Sequence, residues 1–179
     1  SLAATACRNA EAELSHSVKH RYAAMLLAEK KATDAFKLLV RLMLETGMRV
    51  GDAVRFDPAR CARSEFLWRY DFVPQKHRRT ERIKTVTVFL TEELKASIDR
   101  CAWCSPERPF AYRDAAGVSL DVQCNEVREQ LKNVGVKAGV QDVRPHRFRD
   151  TFAVRCLLRG ISLEDVSRLL GHSSVAVTE

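Results

Sequence analysis

The sequence predicts an α+β fold, mainly α with a small antiparallel β-sheet, and three observations carry that expectation. Apolar residues recur at helical spacing through most of the chain, opened by capping residues and closed by glycines. One stretch, 64–90, switches from that period to alternation. The 179 residues are 46% hydrophobic, enough to enclose one core and too apolar for a disordered tail. No internal repeat or low-complexity linker divides them, so residues 1–179 are read as a single domain, patterned from about residue 8 onward.

The elements follow in order. Residues 9–30 read as an amphipathic helix. Thr33 and Asp34 then open a helix in which Phe36, Leu39, Val40, Met43 and Leu44 fall at helical spacing. Leu38 and Leu42 widen its stripe until the helix is apolar almost all round, so it belongs at the centre of the core, closed by Gly47. Phe66, Trp68, Tyr70 and Phe72 alternate in one strand, and Val86, Val88 and Leu90 in a second, antiparallel one. That aromatic face is read as packed against helices rather than as a base-stacking platform. The link 75–84 is a basic hairpin tip, with five cations against Glu81. Thr91 caps a helix that carries Glu92 and Glu93 in its favourable first turn, and another runs from about 120 to 138, ended near Gly139. Pro145 precedes a helix from His146 to Arg159 that Gly160 stops. Ser162 and Asp165 then form a capping-box-like start for Leu163 to Leu170, closed by Gly171.

The net charge is +7 and the isoelectric point about 9.3, which admits nucleic acid, an anionic membrane or an acidic partner until the cations are located. No apolar run approaches the roughly 20 residues of a membrane span, and the first residues lack the order of a signal peptide. The expectation is a soluble, cytoplasmic chain with no membrane partner. Cys7, Cys61, Cys101, Cys104, Cys124 and Cys156 are too sparse for a secreted disulfide scaffold and read as reduced thiols, several of them buried. The lone Cys101–Cys104 pair has no second pair at zinc-ribbon spacing, so no metal is assigned to it. The chain opens on Ser1 and stops at Glu179 in mid-pattern, which reads as a piece of something longer.

Three basic sites stand at punctuation marks of the chain, where a side chain is aimed by its backbone. Arg49 follows the glycine cap in Thr46-Gly47-Met48-Arg49-Val50-Gly51-Asp52. His146 and Arg149 share a helix face at i, i+3, and His172 follows Gly171. Two guanidiniums and two imidazoles from separate parts of the chain are thus able to converge on one phosphate. Each also has a plainer reading: Arg49 pairing with Asp52 on a surface turn, and the histidines making local bonds at helix ends. Asp52, Asp142, Asp150 and Asp165 are too scattered to hold paired magnesium ions, so phosphoryl chemistry here falls to arginine and histidine, without a cofactor.

The stretches TGMRVGD, RPHRFRDTFA and LLGHSS, in that order, resemble the catalytic domain of the tyrosine recombinase family, the phage integrases and bacterial Xer-type proteins, over about residues 30 to 179. The resemblance implies that family's DNA breaking-rejoining fold and site-specific cutting and rejoining of duplex DNA through a 3′-phosphotyrosine link. It implies that Arg49 and Arg149 clamp the scissile phosphate, that His146 serves proton transfer and His172 donates to the same phosphate, that Asp52 supports the site, and that Lys76 is general acid for the leaving 5′ oxygen. Lys84 competes with Lys76 for that last role. Arg78, Arg79, Arg82 and Lys84 in the hairpin, with Arg144 and Arg147 before and within the later helix, form two basic patches suited to a duplex backbone.

The family's tyrosine falls about nine residues past the second histidine, beyond Glu179, and Tyr22, Tyr70 and Tyr112 do not occupy that place. The chain is therefore expected to bind DNA without cleaving it unless a tyrosine is supplied in trans. A separate N-terminal DNA-binding domain is expected before it, a tetramer on two DNA sites for the whole protein, and a monomer for this piece. The alternatives are a type IB topoisomerase and a catalytically inactive DNA-binding module of the same fold.

Overall fold

In a computed structural model the described residues are 34–75, 84–101, 110, 117–140 and 142–172. The helix expected over 9–30, the hairpin residues Lys76, Arg78, Arg79 and Arg82, and Cys104 lie outside them.

Helix α1, Asp34–Thr46, is the core of the molecule as its all-round apolar sequence requires: Phe36, Leu38, Leu39, Val40, Leu42, Met43 and Leu44 are all buried. Each such side chain contributes about 1.5–3 kcal/mol through burial. A short helix α2, Val50–Val54, follows and leads through a 3-10 turn, Pro58–Arg60, into a three-stranded antiparallel sheet ordered β1-β2-β3. Strand β1 is Ala62–Arg63, β2 is Trp68–Phe72 and β3 is Val86–Leu90, with Tyr70 opposite Val88 and Trp68 opposite Leu90. Tyr70 packs inward against Phe56 and Phe72 stacks on Tyr70, both buried, so this part of the aromatic face is a core face, as expected.

Two sequence expectations change. The sheet has a third strand, too short to show any alternation. The first strand also begins at Trp68 and not at Phe66, because Ser64 N donates to Leu67 O (2.8 Å) and closes a two-residue loop of Glu65 and Phe66. Phe66 sits at that loop's tip, 83% exposed.

Helix α3, Glu92–Arg100, starts where Thr91 Oγ1 accepts from Leu94 N (3.2 Å), and α4, Leu120–Lys137, where Ser119 Oγ accepts from Val122 N (3.4 Å). Helix α5, Pro145–Leu158, carries its proline at the first turn, where no backbone donor is lost. Helix α6, Leu163–Leu170, starts at Ser162, whose hydroxyl accepts from Asp165 N (3.1 Å) and donates to Asp165 Oδ2 (2.9 Å). Around α1 pack α3, α5 and β3, while α6 bridges α5 and β3.

Two glycines permit that closeness. Gly47 has φ +67°, and a Cβ there would lie 2.6 Å from Phe152 Cδ1 and 2.9 Å from Leu170 Cδ2. Gly171 has φ +64°, and a Cβ there would fall inside Val86. The C-terminal ends of α1 and α6 are thereby drawn against α5 and β3. Among the described residues no helix is long and apolar enough to cross a membrane.

Candidate functional site

The site grows from the end of α1. Thr46 Oγ1 donates to Leu42 O (2.6 Å) and accepts from Met48 N (3.3 Å), which, with the left-handed turn at Gly47, delivers Arg49 to the N-cap position of α2 in an extended conformation. Helix α5 places His146 in its first turn and Arg149 one turn later.

Arg149 is only 4% exposed. Its Nη1 donates to Gly47 O (2.7 Å) and its Nη2 to Leu170 O, carbonyls at the C-terminal ends of α1 and α6. Those groups lack intrahelical donors and carry the negative end of each helix dipole, so a buried cation is compensated there. One guanidinium therefore ties together the three segments TGMRVGD, RPHRFRDTFA and LLGHSS. Burial, and then the charge of Arg49, pull its pKa down to about 10, which still leaves it cationic at neutral pH.

Asp52 is buried too, 7% exposed, and accepts from Gln75 N (2.9 Å) rather than forming an exposed surface turn with Arg49. Burial raises its pKa, against the Gln75 hydrogen bond and the charges of Arg49, Arg149 and Arg55. Arg55 Nη1 donates to Gln75 Oε1 (2.6 Å), so Gln75, the residue before Lys76, is gripped through main chain and side chain. Beyond the hairpin tip, Lys84 Nζ donates to the backbone oxygen of His172 (2.7 Å). The hairpin is thus fastened at one root to the segment of Arg49 and at the other to the segment of His172.

Arg49, His146 and Arg149 share one cleft of about 950 Å³. The i, i+3 spacing put His146 and Arg149 on one side of α5, but their depths differ. Arg149 is buried, whereas the His146 side chain is 76% exposed, with Nε2 3.5 Å from Asp150 Oδ1. His172 joins the assembly through its backbone: its N–H donates to Ser167 O (3.0 Å) beside the Gly171 turn, and its oxygen takes Lys84. Lys76, Arg78, Arg79 and Arg82 lie outside the described residues.

Arg144 and Arg147 both reach Asp142: Arg144 Nε to Oδ1, Arg144 Nη2 to Oδ2 (2.7 Å) and Arg147 Nη2 to Oδ2 (2.6 Å). A charge sum along the sequence did not reveal that carboxylate among the cations of the cleft. It also missed Arg128 and Lys132, which line the same cleft from α4 and were legible as an i, i+4 basic pair. Among the described residues no three His, Cys, Asp or Glu side chains gather to hold a metal ion. The arrangement offers one guanidinium fixed by two carbonyls, that of Arg149, and a second, that of Arg49, lining the same cationic cleft, which suits a phosphodiester with two non-bridging oxygens.

The chain matches the phage integrase family model over residues 9–179. It is 29% identical over 157 residues to the tyrosine recombinase XerA of Saccharolobus solfataricus, covering 87% of this chain and 47% of that protein. Among solved structures, the catalytic domain of bacteriophage HP1 integrase matches with a TM-score of 0.62 at 20% identity, over 90% of this chain and 82% of that one. The XerH site-specific recombinase bound to palindromic difH substrate matches with a TM-score of 0.70 at 16% identity, over 89% of this chain and 45% of that one. At those identities the structural matches establish the fold. The chain spans about half the length of the curated relatives it matches first.

Proposed function

The chain belongs to the phage integrase family, and from that membership we propose that it is the catalytic domain of a tyrosine-type DNA recombinase that cuts and rejoins duplex DNA. One observation carries the proposal. The Arg149 guanidinium, by bonding Gly47 O and Leu170 O, joins the three sequence segments that carry the family resemblance, and Arg149 lines one cleft with Arg49 and His146.

On this proposal Arg49 and Arg149 neutralise the non-bridging oxygens of the scissile phosphate, where charge accumulates in the transition state. His146, at the exposed rim, exchanges a proton with the reacting oxygens, and His172 donates to the phosphate. Lys76, the residue after the doubly held Gln75, protonates the leaving 5′ oxygen. Asp52 acts through Gln75 and is a positioning residue. Arg78, Arg79, Arg82, Lys84, Arg144 and Arg147 meet the duplex backbone.

On this proposal the attacking tyrosine of the whole protein stands about nine residues past His172. Tyr70 is unsuited to that part: it is buried in the core against Phe56, and burial pushes its hydroxyl pKa up. For the whole protein, the proposal includes an N-terminal domain that closes on the DNA and a tetramer on two sites.

The test is a nicked duplex of the cognate site given, with chelator and no added magnesium, to the chain extended through that tyrosine. A covalent protein–DNA adduct is expected, lowered by orders of magnitude in Arg49→Ala and Arg149→Lys. No adduct from a folded, DNA-bound extended chain would favour the inactive-module alternative. An undiminished adduct in both arginine variants would overturn the assignment of the phosphate clamp.

A further inference from the structure

Asp142 stands at the cleft with both carboxylate oxygens engaged by arginine. Arg144 contacts both of them through Nε and Nη2 in a forked pair, and Arg147 Nη2 adds a third donor at 2.6 Å. This fork-on-fork geometry is the one an arginine uses for the two non-bridging oxygens of a phosphodiester. The residue holds a left-handed backbone, φ 57°, a conformation that aspartate tolerates better than most side chains. Hydrogen bonding from Arg144, and then the charges of both arginines, hold the carboxyl below its ordinary value of 3.8, so it is an anion at neutral pH. Asp142 and Arg144 line the same cleft as Arg49, His146 and Arg149.

We propose that Asp142 is a built-in competitor of the DNA backbone: in the free protein it occupies the anion seat formed by Arg144 and Arg147, and a phosphodiester of bound duplex must displace it. The proposal rests on the cleft being the seat of a DNA phosphate. Its consequence is discrimination. A duplex that fits the whole cleft supplies enough contacts to drive the exchange, whereas a random duplex meets two arginines already satisfied. Asp142 would thereby hold down non-specific binding, the term that Lys and Arg contacts to phosphate otherwise dominate.

The experiment measures binding of a fluorescent random-sequence duplex to the 179-residue chain over a salt series. Asp34→Asn, at the end of α1 away from Arg49, sets the effect of losing one distant negative charge. Asp142→Asn is expected to tighten binding about tenfold at low salt and to steepen the slope of log K against log salt by about 1 to 2, as two freed cations each take a phosphate. Asp142→Gly, which suits the left-handed backbone, is expected to do the same and serves if the Asn variant does not fold. In an Arg144→Ala/Arg147→Ala background the gain is expected to shrink to that of Asp34→Asn.

A gain no larger than that of Asp34→Asn, with wild-type binding intact, overturns this proposal alone. A gain that persists without the two arginines does so as well. If the folded wild-type chain binds no duplex at any salt, the DNA reading falls and this proposal falls with it.

Discussion

Arg149 donates to the carbonyl oxygen of Gly47 at 2.7 Å across 102 positions of sequence, and the same guanidinium holds Leu170 O. A residue that the family resemblance marks for chemistry is therefore also a strut between three helices. Replacing it with alanine leaves two buried carbonyls without this donor, at about 1–3 kcal/mol each, so Arg149→Ala should lose about 2–6 kcal/mol of stability. Arg149→Lys keeps the charge but not the fork and should lose less. Urea denaturation measures both, and an unchanged midpoint in Arg149→Ala would reduce Arg149 to a surface-type ligand of phosphate.

Burial first, and then the charge of nearby Arg49, lower the pKa of the same cation to about 10. An anion seated between the two relieves their repulsion, so inorganic sulfate should stabilise the folded chain. At about ten times its dissociation constant the gain is about 1.4 kcal/mol. Thermal melts in sulfate against chloride of equal ionic strength read it out, and Arg49→Ala should abolish the difference.

Asp52 gives the site a pH dependence of definite sign. Its native pKa is raised above the ordinary 3.8 by burial, so the stability tied to this group is complete below 3.8 and is lost as pH rises through the native value. Asp52→Asn retains an oxygen for Gln75 N and cannot ionise. Its melting temperature relative to wild type should therefore climb as pH rises from about 4 to about 7. Asp52→Ala, which also removes the acceptor, should melt lower than Asp52→Asn throughout; a constant offset between Asn and wild type would refute the assigned cause.

Much of the fold was legible because its signals are local. Thr91 and Ser162 cap the helices they precede, and an all-round apolar run could only become the central helix. Where long-range partners decide, the chain alone says less. Nothing within α5 reveals that Arg149 is buried while His146 is exposed, since Gly47 and Leu170 set that depth. Alternation carried the strand two residues too far because Phe66 keeps the pattern while the backbone is already turning. The three motifs of the site were readable by type and order. The Asp142 pairing, the grip on Gln75 and the Lys84 tether were not, because counting charges along a chain does not show which of them meet.

The two fastenings of the β2–β3 hairpin separate what may change from what must stay. Gln75 is seated on Asp52 and Arg55, and Lys84 on the oxygen of His172. Gln75 and Lys84 are thereby two held positions in the sequence, and what is written between them is open to exchange. Grafting a different loop between Gln75 and Lys84 is then a rational way to retune what the chain contacts, leaving Arg49, Asp52 and Arg149 as they were.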